Sequence, residues 1–453
     1  MQQHISDSSF EDGLLAFLAR SPTPFHAVAG LRAALDQAGY RQLPEDADWT
    51  LATGEKCYVI RNQSSIVAFR TGDGLDAGLR MVGAHTDSPC LKLKPSPELR
   101  TDGALRLGVE VYGGVLLNPW FDRDLSLAGR VHYRSSTGAL GHALIDFGRP
   151  IAVIPSLAIH LDREANQSRS INAQRDIPPL IAMLPAAAAD ADTRPAAGTP
   201  DAPHPVTLEA LLVAQLKRQY PDTDVEQILD HELCFHDSQA PQRVGIEGEF
   251  ITSARLDNLL SCWCGLQALL QSDPSVPALL VCNDHEEVGS ASSSGAAGPL
   301  LRSVLERLTG SPEALARLIA RSMMISADNA HAVHPSYPDR HDGNHGPKLG
   351  GGPVIKVNAN QRYASNSATQ ALFRHLCAQQ EVPVQVFVTR TDMACGSTIG
   401  PITATQIGVR TLDVGVPQLA MHSIRETCHA EDPRRLAEVL AAFQSLAVLP
   451  ELD

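Results

Sequence analysis

From about Ile251 to the C-terminus, short apolar runs alternate with helical stretches, and no other feature constrains the fold as much. Ala278 to Cys282, Met323 to Ile325, Val384 to Thr389 and Asp413 to Val416 read as strands. Asn258 to Leu270, Leu300 to Arg321 (split near Gly310 and Pro312), Ser367 to Gln380 and Pro433 to Val448 read as helices. Alternation of this kind predicts an α/β layer fold, a mostly parallel sheet with flanking helices. The start of the chain belongs to the same sheet. It offers helices at Phe10 to Ala19 and Pro24 to Ala38 and a buried strand at Leu79 to Ala84.

Between these stretches the texture changes. Val109 to Leu117, Gly129 to Tyr133 and Ile151 to Ile159 are short, rich in β-branched residues and broken by Gly and Pro. The expectation is therefore a discontinuous catalytic domain, residues 1–89 and 249–453, interrupted by a mainly β insert at 90–248. Within the insert, residues 185–205 are Ala, Pro and Asp with almost no bulky apolar side chain, which predicts a flexible loop. Val206 to Gln219 then reads as a helix. A chain of 453 residues exceeds one ordinary core, in keeping with two domains.

Charge excludes some partners. The net charge of −14 argues against nucleic acid, which needs a basic face, and against an anionic membrane surface. Neither a signal peptide nor a spanning helix is expected. The nine cysteines are scattered and odd in number, which fits reduced thiols in a cytoplasmic protein.

The chemistry lies at strand ends. Leu79 to Ala84 runs into His85-Thr86-Asp87, Ala278 to Cys282 into Glu286-Glu287, and Met323 to Ile325 into Asp328, with His331 just beyond. Asp257 precedes a helix, and His422 follows the strand at Asp413 to Val416. Open α/β sheets bind ligands at the carboxyl ends of their strands. Each residue has a plainer reading when taken alone: a Glu pair in a solvated loop, an Asp as helix cap, a His in the core. Together, two His and three acids make a ligand set for zinc or a similar divalent metal, with more carboxylate than one structural zinc needs. The excess points to two metals bridged by one Asp. One member of the Glu286-Glu287 pair can bind metal while the other handles a proton, and spacing does not decide which. Asp87 is placed to accept from the His85 imidazole and fix its tautomer. The glycines Gly350 to Gly352 and the run Ser290 to Gly298 fit no phosphate-loop pattern.

Several stretches resemble the aspartyl aminopeptidase family of dinuclear zinc metallopeptidases, in order along nearly the whole chain. They include Gly83 to Pro89, Asn118 to Leu125, Leu157 to Leu161, Arg255 to Asn258 and Asp284 to Ser290. Ser326 to Pro335, Lys356 to Asn358, Gln361 to Ala364 and Met421 to Glu426 complete the set. The resemblance implies an exopeptidase with two zinc ions per subunit, cobalt or manganese being alternatives. His85 and Asp328 would bind one ion and Glu287 and His422 the other. Asp257 would bridge the two, and Glu286 would act as general base. His160, His331, Lys356 and Tyr363 match positions that line the substrate pocket, with His160 reaching a neighbouring subunit's site. Lys356 would pair with an acidic N-terminal side chain, a neutral N-terminal residue being the alternative that the sequence does not separate. The family's assembly, a tetrahedral dodecamer built from dimers, is implied as well. The rival readings are a metal-dependent carboxypeptidase or deacylase on a similar fold, and a shell-forming binding protein without activity.

Overall fold

The computed structural model of the chain describes residues 7–184 and 206–451. Two compact units emerge, residues 1–88 with 241–453, and residues 89–240. Residues 241–248 were assigned to the insert from sequence. They fall in the first unit because Gln242–Val244 forms a hairpin with Phe250–Ser253. The loop predicted at 185–205 lies outside the described residues.

The first unit is built on a nine-stranded sheet. At its middle, Ala278–Asn283, Arg80–His85, Met323–Ala327 and Arg410–Gly415 lie side by side and parallel. The hairpin Lys56–Arg61 and Ser65–Arg70 extends one side antiparallel to Ala278–Asn283. Val354–Val357 runs antiparallel to Arg410–Gly415 on the other side, with Gln385–Val388 beyond it. The central strands are buried on both faces, so they read as unbroken apolar runs. Successive residues still part company by the two-residue period of a strand. Val82, Ala84, Leu280 and Cys282 join one core cluster with Leu256, Leu260, Leu436 and Phe443. Met81, Leu279, Val281 and Met324 join the opposite cluster with Leu300, Val304, Leu315 and Ile399. Helices Leu256–Gln271 and Asp432–Gln444 thus cover one face, and Leu300–Thr309, Pro312–Ala320 and Ile399–Ile407 cover the other.

A second sheet of five short strands belongs to the same unit. Phe250–Ser253 pairs with Glu426–His429, which pairs with Pro417–Leu419, which pairs with Ala330–His331.

The unit formed by residues 89–240 holds a six-stranded antiparallel sheet and the helix Leu208–Gln219. Two expected strands differ from what forms. The strand Ala104–Tyr112 stops at Tyr112, before Gly113 and Gly114, rather than reaching Leu117. Ile151 to Ile159 makes isolated bridges at Ala152 and Val153 and no strand. Pro150 precedes it and Pro155 interrupts it, and neither can donate to a ladder. Among the described residues, no helix is long and apolar enough to cross a membrane.

Candidate metal centre

The four central strands deliver their carboxyl ends to one edge of the nine-stranded sheet. His85 ends Arg80–His85 opposite Asn283, and Glu286 and Glu287 follow three and four residues after Asn283. Asp328 follows Met323–Ala327 directly. The five-stranded sheet supplies the other two groups. Asp257 comes shortly after Phe250–Ser253, and His422 lies in the connection between Pro417–Leu419 and Glu426–His429. Asp257 does not cap the helix it precedes: its own dihedrals and those of Asn258 are non-helical, leaving the carboxylate free to face the cluster.

Donor atoms of His85, Asp257 and Asp328 all lie within 4.8 Å of one another, and so do those of Asp257, Glu287 and His422. Asp257 belongs to both groups and divides its oxygens between them. Oδ1 lies 3.5 Å from His85 Nε2, and Oδ2 lies 3.6 Å from His422 Nε2. His85 Nε2 is 3.7 Å from Asp328 Oδ1, and His422 Nε2 is 3.4 Å from Glu287 Oε2. A third group within the same limit joins His85 to Glu286 and Glu287.

These separations fit metal ligands better than hydrogen bonds. Ligands at ~2.1 Å from a tetrahedral zinc stand roughly 3.4 Å apart. A good N–H···O bond is shorter, near ~2.9 Å. Moreover, Asp257 Oδ1 and Glu287 Oε1 are buried without any hydrogen-bond donor. Buried carboxylate oxygens without a donor are costly unless a cation faces them. The donor set and its spacing therefore accept zinc.

The groups perturb one another strongly. Burial alone would lower His85, but the carboxylates of Asp257, Asp328 and Asp87 outweigh it and hold the imidazole well above its ordinary value. Burial likewise opposes the charge of His422, yet Asp257 and Glu287 bring it up to about 9. Asp257 is held below the usual carboxylate range by His422 and His85, against its own burial. Glu286 moves the other way, up to about 7, because burial raises it and Asp328, Asp257 and Asp87 add to that while His85 only partly offsets it.

Asp87 meets both the His85 imidazole and the backbone of the glutamate pair. The nearest acceptor to His85 Nδ1 is the backbone carbonyl of Asp87 at 3.0 Å, and the carboxylate oxygen lies at 3.4 Å. That carboxylate also accepts the backbone N–H groups of Glu286 and Glu287, each at 3.1 Å. Lys356 lines the cavity over the cluster and is held by its own chain. Its Nζ donates to the carbonyls of Asp328 and Asn329 at 3.0 Å each and stands 3.4 Å from Asp328 Oδ2. An ammonium has three protons, so a substrate carboxylate would have to displace one of these partners.

A cavity of about 300 Å³ opens on the cluster, lined by all five ligand candidates, Glu286, His331, Lys356, Tyr363, Phe387 and Met421. His331 meets Phe387 edge-on with ring centroids 5.8 Å apart, and Lys356 sits 5.0 Å from the centre of the Tyr363 ring. A larger cavity, about 630 Å³, lies among Leu305, Pro312, Leu315, Ile319 and Ile407 and holds no such cluster. His160 belongs to the other unit, exposed in a turn. Glu426, buried behind Asp257 and His422, was not singled out from sequence.

A family model for aminopeptidase I zinc metalloproteases (M18) matches residues 17–444. The chain is 57% identical over 440 residues to a probable M18 family aminopeptidase 2 of Ectopseudomonas mendocina, covering 97% of this chain and 98% of that one. It is 55% identical, with the same coverage, to a protein of that description in Pseudomonas putida KT2440. Among solved structures it resembles Ape4 from the Ape4–Nbr1 complex, with a TM-score of 0.91 and 39% identity over 99% of this chain and 88% of that one. It also resembles the mApe1 dodecamer of S. cerevisiae, with a TM-score of 0.79 and 27% identity over 96% and 95% of the two chains.

Proposed function

Because the chain belongs to the M18 family of aminopeptidase I zinc metalloproteases, we propose that it releases N-terminal residues, acidic ones foremost, from peptides at a two-zinc centre bridged by Asp257. One observation carries the reading: the two oxygens of Asp257 face different histidines, His85 and His422. His85, Asp257 and Asp328 would hold one zinc, and Asp257, Glu287 and His422 the other. Bound zinc supplies Lewis acidity, which acidifies water and polarises a carbonyl. Glu286 takes the proton from the attacking water and passes it to the departing amine. Its carboxyl lines the same cavity as the ligands and lies within reach of them, which suits both directions of that transfer. Asp87 fixes the Glu286 backbone, and His331 and Tyr363 flank the peptide beside the cluster.

Support for acidic residues comes from an adjoining cavity of about 310 Å³. It shares His331, Tyr363, Phe387 and Met421 with the first, and its lining includes Arg340, Arg390, His334 and His341 but no carboxylate. Arg390 is paired with Asp392 at 2.7 Å, and Arg340 faces Asp339 more loosely at 3.8 Å. The active form is a homo-oligomer, a dodecamer like that of mApe1, with His160 contributed to a neighbouring copy's site. Leu157, Ile159 and Leu161 stand exposed around His160, as in a segment that meets another subunit. The nine cysteines are free, in keeping with a cytoplasmic location.

The test is release of the first residue from zinc-loaded protein and matched peptides. The peptides begin with Asp, Glu, Leu or Ala, each free and N-acetylated. Free acidic peptides are expected to be cleaved fastest and acetylated ones not at all. Cleavage of acetylated peptides would shift the assignment to a deacylase or carboxypeptidase. Glu286→Gln is expected to keep its zinc while losing about 10²–10⁴-fold in kcat. Full turnover by that variant would remove Glu286 from the mechanism.

A further inference from the structure

Glu426 is the first residue of Glu426–His429, 1% exposed, and lies outside the ligand set. Both of its oxygens are engaged from the cluster side. Oε2 accepts the backbone N–H of Asp257 at 3.0 Å. Oε1 accepts the backbone N–H of His422 at 2.8 Å and the Gln418 amide at 3.3 Å. One carboxylate therefore spans the two residues whose side chains must meet at the second metal position. No covalent route shorter than 165 residues joins those two positions, so their spacing depends on tertiary contacts.

The His422 side needs such a hold. His422 has φ of +67° and Ala420 has φ of +55°, both in the left-handed region that non-glycine residues avoid. A residue kept there persists only when its surroundings over-determine it. The Glu426 acceptor meets the amide of that strained residue directly.

The contact extends inward as a chain. Gln418 Oε1 accepts from Asn329 Nδ2 at 2.8 Å, and the same Nδ2 donates to the Leu256 carbonyl at 2.9 Å. Asn329 follows Asp328, and its carbonyl receives Lys356 Nζ. Glu426, Gln418 and Asn329 thus connect the segments bearing His422, Asp257 and Asp328 from behind.

We infer that Glu426 is a positioning residue that sets the distance between Asp257 and His422, with Gln418 and Asn329 carrying the same constraint to Asp328. The inference rests on the two-metal reading above. Glu426→Gln preserves shape but turns one acceptor into a donor, so one of the two amides must face an N–H. Partners of this kind around metal ligands alter affinity by about 10–100-fold when changed. The weaker of the two metal sites is expected to lose affinity by that factor in competition with a chromogenic chelator. The visible absorption of the cobalt-loaded variant is expected to change in band position or intensity. The apo variant's near-UV circular dichroism should match the parent's.

The outcomes separate cleanly. Failure of the parent to bind two metals at its cluster would sink the two-metal reading itself. A parent that binds two, beside a variant with unchanged affinity and cobalt spectrum, would overturn the role of Glu426 alone. If Glu426→Gln does not fold, Gln418→Leu takes its place. It removes the hydrogen bonds to Glu426 and Asn329 and is expected to weaken metal binding in the same direction. Unchanged binding there overturns the inference as well.

Discussion

The carboxylate of Asp87 bridges adjacent amides, Glu286 N–H on Oδ1 and Glu287 N–H on Oδ2. That clamp fixes the turn presenting both glutamates, which follows His285 at φ of +63°. Asp87→Ala leaves two amides without their acceptor, a loss of roughly 1–3 kcal/mol in stability. His85 keeps its contact to the backbone carbonyl of residue 87. The expected result is a fall in kcat/KM of about 10–100-fold with zinc still bound through His85, Asp257 and Asp328. Steady-state kinetics and metal content on one preparation check this; unchanged kcat/KM would mean the turn holds itself. At this scale the sequence exposes ligands better than their supports. Glu286-Glu287 stands out because two acids follow an apolar run that ends in a loop. Asp87's service to those amides, 199 and 200 residues away, leaves no local signal. Lys356 was legible as a pocket residue, whereas the carbonyls that take its protons depend on how Asp328 and Asn329 fold back.

At the scale of elements, two strand glycines meet very different neighbours. A Cβ on Gly415 would stand 2.0 Å from the carbonyl oxygen of Asp328, which is backbone and carries a ligand. A Cβ on Gly83 would meet the Met324 side chain, 2.2 Å from its terminal methyl, which can swing away. Gly415→Ala is therefore expected to shift the Asp328 peptide and destabilise the protein by about 1–3 kcal/mol, as overpacking does, with reduced zinc content. Gly83→Ala should lose less stability and keep its zinc. Urea midpoints and metal analysis of the pair decide it, and equal zinc content in both would count against this account of Gly415. The parallel strands were readable because burial on both faces makes them continuous apolar runs. The hairpin Lys56–Arg61 and Ser65–Arg70 carries a weaker sequence signal. Its turn uses Asn62 and Gln63 at φ of +53° and +58°, and Asn in such a position is the one available cue. In Ile151 to Ile159 the opposite holds: β-branched composition favours a strand, but Pro150 and the internal Pro155 prevent a ladder.

For the whole molecule, the proposed metal cluster is a liability to folding while it is empty. Asp257, Asp328, Glu286 and Glu287 converge on two imidazoles, with Asp87, Asp284 and Glu426 buried close by. In chelated protein this crowding has a definite pH signature. Burial raises Glu286 to about 7 and Glu426 to about 8, so the folded state holds protons that the unfolded state releases near pH 4.5. Such groups lose stability as pH rises from their unfolded toward their folded values. His422, raised to about 9 from 6.5, also contributes stability below its unfolded value and loses it as pH climbs through the folded one. Asp257 is depressed, so its contribution is already complete above pH 5 and adds no slope in this range. His331, lowered to about 4 by burial and Lys356, opposes this only up to its unfolded value of 6.5, so the melting temperature of chelated protein is expected to fall from pH 6.5 to 9. Zinc loading should reverse the trend, because cations take over the role of the protons and bind ligands better as these deprotonate. At a thousandfold excess over its dissociation constant, a single ion adds about 4 kcal/mol. Melting curves at four pH values, with and without zinc, read both effects in one experiment. A chelated protein whose stability rises toward pH 9 would mean that the buried carboxylates are not in contact as the fold places them.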